Sequence, residues 1–162
     1  MLKFQTSLGT FEVELHTEDA PISCKNFLDY VENGHFNGTI FHRVIPNFVI
    51  QGGGLTTDLT PKKTRAPIKN EASNGLKNRR GSLSMARTND PNSATSQFFV
   101  NLKDNAFLDP GRGTSGYAVF AHVMQGIEVV DKIGAVATGT RGHYEDVPVE
   151  PVILESVTVV KG

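Results

Sequence analysis

The sequence predicts a mainly β protein, built as a closed antiparallel barrel with two helices over its ends. Three observations support this fold class: many short segments of strand character, only two stretches of helical periodicity, and sixteen glycines in a chain of 162 residues. Alternating apolar and polar residues are typical of strands with one buried face, and closure of a barrel removes exposed sheet edges. A chain of this length is expected to form a single domain, 1–162, around one core.

The chain opens with a predicted β-hairpin. Leu2 and Phe4 alternate with polar neighbours, the alternation breaks at Leu8-Gly9-Thr10, and it resumes over Phe11–Leu15. Each strand of the hairpin is therefore expected to bury one apolar face.

A helix is predicted after the hairpin. Pro21 suits a first helical position, and Gly34 is a stop signal. Between them the apolar residues repeat at helical spacing. This stripe consists of Cys24, Phe27, Leu28 and Val31.

The remaining regular structure is predicted as short strands and one weaker helix over Ile127–Ile133, with Gly134 beyond its end. The strand-like runs are Thr39–Ile45, Phe48–Gln51, Ser82–Ala86, Gln97–Leu102, Tyr117–Val123 and Val152–Val160. The stretch 55–80 has little periodicity. Such a long loop in a compact domain usually has a functional or packing role.

Composition excludes several classes of partner. The net charge of −1 and the pI of about 6.5 argue against binding to nucleic acid or to an anionic membrane surface. No apolar run is long enough to span a membrane. The one cysteine, Cys24, excludes an internal disulfide and fits a reducing compartment. Since the N-terminus also lacks the apolar region of a signal peptide, we expect a cytoplasmic protein.

Two segments carry the candidate chemistry. Phe41–Gly53 contains Arg43, with Phe48 five and Gln51 eight residues later. The second segment, Ser96–Asn101, adds another glutamine and two phenylalanines. Together they offer a fixed cation, two amide side chains and an apolar floor, with no nucleophile and no metal ligands. This set suits binding a peptide and changing its shape better than it suits bond cleavage.

Alternation within the second segment leaves two interpretations open. One face would bury Phe98 and Val100, while the other presents Gln97, Phe99 and Asn101. An outward aromatic ring beside an amide is either a binding surface or a part of the sheet covered by a loop.

Arg43 also has two interpretations. Alternation places it mid-strand on the same face as Phe41 and Ile45, where an unpaired cation would be costly. A structural role would need a salt bridge, for instance to Glu71 or to a glutamate early in the chain. In a functional role, the glutamines of the two segments would orient the guanidinium. His42 points to the opposite face and is expected to be a hydrogen-bonded structural residue.

Three other features predict no chemistry. Gly111–Gly116 fits the pattern G-x-G-x-x-G, but a strand follows it where the dinucleotide motif needs a helix, so we interpret it as a flexible loop. The five histidines show no metal-ligand spacing, and Cys24 lies on the apolar helix stripe, where it would be buried and inert. No metal and no cofactor are expected.

Over nearly its whole length the chain resembles the cyclophilins, a family of peptidyl-prolyl cis-trans isomerases. The matching segments, in family order, are Phe41–Gly53, Met85–Arg87, Ser96–Val100 and Phe107-Leu108. Pro67–Ala72 resembles in particular the small cytosolic bacterial B-type members. The resemblance implies an eight-stranded barrel with a packed interior, an active-site groove on its outer surface, and isomerase activity that assists protein folding.

The resemblance also implies roles for individual residues. Arg43 is similar to the catalytic arginine, Phe48 belongs to the pocket that holds the proline ring, and Gln51 steadies the arginine and the substrate. The other expected substrate-binding residues are Val49, Ala86, Arg87, Gln97, Phe99, Phe107, Leu108 and Tyr117.

Three of these positions depart from the human-type members of the family. Phe107 stands where they carry tryptophan, Tyr117 takes the place of their histidine, and Arg87 replaces an asparagine common in eukaryotic members. The expected partners are proline-containing peptides and unfolded proteins. Cyclosporin is expected to bind weakly, and the expected state is a monomer.

Two alternatives come from other functional classes. The first is a non-catalytic proline-peptide binding module or chaperone that uses the same groove. The second is a lipocalin-like barrel that carries a small ligand inside, which the ten phenylalanines disfavour because they would fill the interior.

Overall fold

The computed structural model describes residues 1–111 and 113–160. Within them, eleven strands and two α-helices follow one another in chain order. The strands are β1 (Leu2–Thr6), β2 (Gly9–Leu15), β3 (Thr39–Ile40), β4 (Arg43–Ile45), β5 (Val49–Gly52), β6 (Ser82–Met85), β7 (Phe98–Asn101), β8 (Val119–Gln125), β9 (Thr138–Arg141), β10 (Tyr144–Pro148) and β11 (Ile153–Val159). The helices are α1 (Pro21–Glu32) and α2 (Ile127–Gly134), and single 3₁₀ turns occur at Ala72–Asn74 and Ala106–Leu108.

Nine strands form one antiparallel sheet in the order β3-β11-β1-β2-β8-β6-β7-β5-β4. The two ends of this order, β3 and β4, are separated along the chain by only Phe41 and His42. One chain segment therefore begins and ends the sheet, which curls into a barrel. The predicted mainly β barrel with two helices is confirmed in outline, and counting β3 and β4 as one interrupted strand gives the expected eight.

The interruption at Phe41 and His42 corrects one detail of the prediction. The backbone N–H of Phe41 still bonds to the carbonyl of Val152 next to β11, whereas Arg43 already pairs with Gln51 of β5. The chain changes partner strands between these points, and both residues at the break are buried. The alternation of faces shifts there, so Phe41 lies in the core and Arg43 does not share its face.

The barrel interior is filled by phenylalanine rings. The pairing of β1 with β2 sets Phe4 opposite Phe11, and their rings stack with centroids 4.8 Å apart. Phe98 of β7 meets Phe4 and Phe27 edge-on at 5.6 and 5.4 Å. Phe36, Phe41 and Phe120 complete this set of fully buried rings. Such packing favours an outer-surface site over a ligand chamber inside the barrel.

Helix α1 begins at Pro21, as predicted, and Glu71 caps it. The two carboxylate oxygens of Glu71 accept the backbone N–H groups of Ile22 and Ser23 at 3.2 and 2.7 Å. These groups have no partners within the helix, so the carboxylate stabilises its first turn.

Cys24 lies on the buried face of α1. Its thiol donates to the carbonyl of Phe120 at 3.3 Å, and burial raises the pKa of this thiol to about 12. The expectation of a buried cysteine is confirmed.

The hairpin formed by β9 and β10 was not predicted, because it contains few apolar residues. It packs against β4 and contributes Tyr144, whose ring lies edge-on to His42 at 6.2 Å. The expected hydrogen bond of His42 is absent at Nδ1, which is buried and has no partner among the described residues. Burial and the adjacent Arg43 lower the pKa of His42 to about 4.

Among residues 1–111 and 113–160, no helix combines the length and apolar character needed to cross a membrane.

Candidate active site

Three neighbouring strands bring the two sequence motifs together on the outside of the barrel. Arg43 of β4 pairs with Gln51 of β5, and Gln51 pairs in turn with Phe99 of β7. Directly opposite residues of an antiparallel sheet present their side chains on the same face. The cation, the amide and the aromatic ring therefore form a row across the sheet.

A chain of polar contacts follows this row. Nη1 of Arg43 donates to Oε1 of Gln51 at 3.4 Å, and Nε2 of Gln51 donates to Oε1 of Gln97 at 3.0 Å. The first bond is long, so Gln51 steers the guanidinium without holding it tightly. The predicted structural interpretation of Arg43 is wrong, because the carboxylate of Glu71 caps α1 and Arg43 forms no ion pair within the described part of the chain.

Glycine after Gln51 makes room for the second glutamine. A Cβ atom at Gly54 would lie 2.5 Å from Cγ of Gln97, closer than real Cβ contacts allow. The side chain of Gln97 therefore rests against the bare backbone of Gly54, which places its amide oxygen within reach of Gln51. The glycine run in the sequence was the visible sign of this close approach.

Beside the polar row lies an apolar floor. Val49, Phe99 and Leu108 form a small buried cluster that is separate from the barrel core. The ring of Phe99 meets that of Tyr117 edge-on at 5.7 Å. Phe99 is buried, and it also lines the floor of the groove, so the structure has features of both interpretations of this outward-facing ring.

Phe107 stands at the mouth of the groove. It is 67% exposed, and its ring stacks on that of Phe48 with centroids 5.5 Å apart. A large ring so exposed has few protein contacts of its own and is available to a ligand.

The groove has a volume of about 290 Å³, close to the lower limit of about 300 Å³ that is common for ligand pockets. Ten of the eleven predicted site residues line it: Arg43, Phe48, Val49, Gln51, Ala86, Arg87, Phe99, Phe107, Leu108 and Tyr117. Gln97 lies in an adjoining hollow of about 170 Å³, which shares Gln51, Ala86 and Arg87 with the groove. The structure thus brings all eleven positions to one place.

The side chain of Arg87 links the segment after β6 to the turn before β8 through hydrogen bonds. Its Nε and Nη2 atoms donate to the carbonyl of Gly116 at 3.1 and 2.9 Å, and Nη1 donates to the carbonyl of Thr88 at 2.8 Å. The guanidinium carbon lies 4.3 Å from the centroid of the Tyr117 ring. This cation–π contact fixes Tyr117 as one wall of the groove.

A buried network of asparagines behind the groove was missed by the sequence analysis. Nδ2 of Asn105 donates to the carbonyl of Phe48 at 3.1 Å and to Oδ1 of Asn101 at 2.9 Å. Asn78 donates to Oδ1 of Asp109 at 3.0 Å and to the carbonyl of Tyr117 at 3.3 Å. The network ties the walls of the groove to β7.

Asn101 belongs to this network and lies on the outward face of β7, as alternation predicted, but loops cover it completely. Isolated asparagines in loop sequence normally indicate turns, so only the strand position of Asn101 offered a signal.

The chemistry of the groove is that of binding and electrostatic stabilisation. Neither the groove nor the adjoining hollow is lined by a carboxylate or a cysteine. Within residues 1–111 and 113–160, no three His, Cys, Asp or Glu side chains are grouped so that they could hold a metal ion. The apolar floor can hold an apolar ring. The guanidinium of Arg43, steered by the Gln51 amide, can donate hydrogen bonds to a polar atom next to that ring.

Comparison with known proteins gives the family to which the chain belongs. Residues 1–159 match the family model described as "Cyclophilin type peptidyl-prolyl cis-trans isomerase/CLD". A peptidyl-prolyl cis-trans isomerase of Acinetobacter baylyi is 58% identical over 159 residues, which cover 98% of this chain and 85% of the relative. Peptidyl-prolyl cis-trans isomerase B of Escherichia coli is 54% identical, with 98% of this chain and 99% of the relative covered.

A solved structure shows the same fold. The cyclophilin-type isomerase of Cryptosporidium parvum, crystallised in the presence of the dipeptide Ala-Pro, superposes with a TM-score of 0.83 at 26% identity and covers 99% of both chains. The chain therefore belongs to the cyclophilin family of peptidyl-prolyl cis-trans isomerases. Its reaction is the rotation of the peptide bond that precedes proline.

Proposed function

We propose that Arg43 is the catalytic donor of this isomerase and that Gln51 positions it. Rotation about an X-Pro bond meets a barrier of about 18–20 kcal/mol and takes roughly 10–100 s without a catalyst. Acceleration by about five decades needs roughly 7 kcal/mol of binding that is stronger in the transition state than in the ground state. The reaction requires neither proton transfer nor a covalent intermediate.

The transition state offers the guanidinium a target that the planar bond lacks. When the bond twists, amide resonance is lost and the proline nitrogen becomes a pyramidal hydrogen-bond acceptor. A cation held close to this nitrogen stabilises the twisted form more than the planar form. Arg43 is suited to this role because it is exposed, has no carboxylate partner among the described residues, and is steered by Gln51.

The apolar floor would serve as the clamp. Phe99 and Leu108 are buried beneath the groove, and Phe48 and Tyr117 pack at its edges. A proline ring seated there is held while the preceding carbonyl swings past Arg43. Val49, Ala86, Arg87, Gln97 and Phe107 complete the proposed substrate-binding surface.

The polar chain from Arg43 through Gln51 to Gln97 is the observation that carries this proposal. A surface that only gripped proline would need the apolar floor but no oriented guanidinium beside it. The proposal is tested by NMR exchange spectroscopy on a blocked Ala-Pro peptide, which measures binding and cis-trans exchange separately. An Arg43 variant that still binds the peptide but no longer accelerates exchange supports it.

The alternative is a proline-peptide binding module or chaperone that uses the same groove. The exposed Phe107 at the groove mouth favours this second candidate, because it offers apolar contact to a peptide but no reactive group. In that case the wild-type protein would broaden the peptide signals through binding while leaving the exchange rate unchanged.

We further propose that the chain acts as one domain and as a monomer in the cytoplasm, on proline-containing segments of unfolded proteins. The single cysteine of the chain, which is buried and can form no internal disulfide, fits a reducing compartment. Cyclosporin is proposed to bind weakly because Phe107 offers no N–H donor at the groove edge.

A further inference from the structure

Arg87 occupies the boundary between the groove and the adjoining hollow and lines both. Its three hydrogen bonds go to the carbonyls of Gly116 and Thr88. These acceptors are neutral, so they immobilise the guanidinium without cancelling its charge. Arg87 forms no ion pair within the described part of the chain.

The side chains that line the space around Arg87 carry only positive formal charge, although the chain as a whole has a net charge of −1. The residues that line the groove and the hollow include two arginines, Arg43 and Arg87, and no aspartate or glutamate. The nearby Asp90 turns its Oδ1 atom to the backbone N–H of Asn92. A carboxylate arriving in this region would therefore meet two cations and no like charge from the lining residues.

Arg87 also retains hydrogen-bonding capacity. A guanidinium has more N–H donors than the three bonds of Arg87 use, and each terminal nitrogen, Nη1 and Nη2, keeps one N–H without a partner among the described residues. Because the side chain is already fixed by its carbonyl contacts and by the Tyr117 ring, binding an anion would cost little additional side-chain entropy.

From these observations we infer that Arg87 selects substrates by charge. The enzyme favours peptides that carry a carboxylate side chain within two residues of the proline over otherwise identical peptides that carry an amine. This inference rests on the proposed function of the groove and adds a substrate class to it. Arg87 acts here as a specificity-determining residue, while Arg43 serves the reacting bond.

The expected preference for Glu over Lys peptides can be estimated from the energies of partly exposed ion pairs. A carboxylate on an immobilised guanidinium in partial contact with water gives about a three- to tenfold preference in kcat/KM for Glu over Lys peptides at low ionic strength. The neutral Gln peptide falls between them. Raising the salt concentration should reduce the preference, because exposed charges are screened over about 10 Å at 0.1 M.

The experiment compares blocked peptides in which Glu, Gln or Lys replaces one residue at each position within two residues of the proline. NMR exchange gives kcat/KM for each peptide at pH 7 with the wild type and with Arg87→Gln, Arg87→Lys and Arg79→Gln. Arg79 is exposed and lines neither the groove nor the hollow, so its substitution makes the same change in net charge outside them. We expect the Glu/Lys ratio to approach unity in Arg87→Gln, to persist partly in Arg87→Lys, and to stay unchanged in Arg79→Gln.

Three results would overturn the inference: a wild type that turns over all three peptides equally, an Arg87→Gln variant that keeps the wild-type ratio, or an Arg79→Gln variant that loses the ratio to the same extent. In each case turnover of the neutral Gln peptide leaves the proposed function standing. Failure of the wild type to accelerate exchange of the Gln peptide would instead overturn the proposed function.

Discussion

Gln51 donates a hydrogen bond of 3.0 Å to Gln97 through Nε2 while its Oε1 atom accepts one from Arg43. The two ends of one amide thus join two segments that lie far apart in sequence. The guanidinium of Arg43 can only donate, so Oε1 of Gln51 faces it, Nε2 of Gln51 faces away, and Gln97 presents its oxygen to that donor. A carboxylate in place of the Gln51 amide would therefore lose the hydrogen bond that Nε2 donates to Gln97.

Gln51→Glu tests whether catalysis depends on the orientation of the Gln51 amide, with its oxygen towards Arg43 and its NH2 group towards Gln97. A carboxylate would place an acceptor against Oε1 of Gln97 and would form an ion pair with Arg43, which diverts the guanidinium from substrate. We expect kcat/KM to fall about tenfold, or ~1.4 kcal/mol, with a smaller change in peptide affinity. Gln5→Glu, an exposed change of the same charge on β1, is the matched control for NMR exchange measurements. Equal turnover in both variants would contradict the positioning role.

The pH dependence of stability should reflect His42. Its pKa in the folded protein is about 4, while the ordinary value is 6.5. The unfolded chain therefore binds more protons than the folded protein between these two values. Stability is unaffected above pH 6.5 and is lost progressively as the pH falls towards 4, by about 3 kcal/mol from this group. Lowered pKa values of His16 and His35 act in the same direction.

Urea unfolding at pH 7, 5 and 4 measures this effect. His42→Phe removes the titrating group and the unpartnered Nδ1 atom, so its stability should fall less steeply over this range than that of the wild type. His42→Gln provides a second test in case the larger ring disturbs the contact with Tyr144. The exposed His143→Asn should keep the wild-type slope. A wild-type slope in both His42 variants would contradict this assignment.

Most of the fold could be predicted, because it depends on local alternation and spacing. The hairpin around Gly9 and the helix from Pro21 were visible in the sequence for this reason. The break at Phe41 was not, since it depends on the pairing of that residue with Val152 at the opposite end of the chain. The hairpin β9–β10 was missed because few of its residues are apolar.

The site also contains features that the sequence predicted and features that it did not. Arg43, Gln51 and Phe99 lie in one row because directly opposed strand residues share a face, and this pairing was not predicted: the two motifs and the family resemblance had grouped these residues. The buried contacts of Asn78 and Asn105 could not be predicted, because each depends on a carbonyl that only the folded chain brings near. Polar residues in loop sequence give no sign of such burial.

Cys24 should be dispensable for catalysis. It lies on the core side of α1, and burial keeps its thiol protonated, with a pKa of about 12. Cys24→Ser should lower stability by about 1 kcal/mol, since a hydroxyl costs more to bury than a thiol and the carbonyl of Phe120 offsets only part of that cost. The kcat/KM of the folded variant should stay close to that of the wild type. Rapid inactivation of the wild type by a thiol reagent, with the circular dichroism spectrum intact, would contradict this prediction.

Cyclosporin affinity should depend on Phe107. The ring stands exposed at the groove mouth against Phe48 and offers no hydrogen-bond donor. Phe107→Trp would add an indole N–H there, and we expect about three- to tenfold tighter binding of the drug by calorimetry, the value of one hydrogen bond. Peptide turnover should change little. An unchanged affinity would point instead to Tyr117 or to the loop 110–116 as the cause of weak binding.

Arg43→Ala tests the catalytic proposal most directly. Loss of one preorganised donor at the twisted bond should lower kcat/KM by about two to three decades, on the order of 3–4 kcal/mol. Arg43→Lys should restore little of this, since a flexible ammonium cannot reproduce a planar fork steered by Gln51. Peptide affinity should fall much less than turnover, because the apolar floor remains, whereas Phe99→Ala should weaken binding as well as rate. NMR exchange on a proline peptide separates the two quantities. If Arg43→Ala folds correctly and keeps the wild-type exchange rate, the groove is a binding surface in which the arginine has no catalytic part.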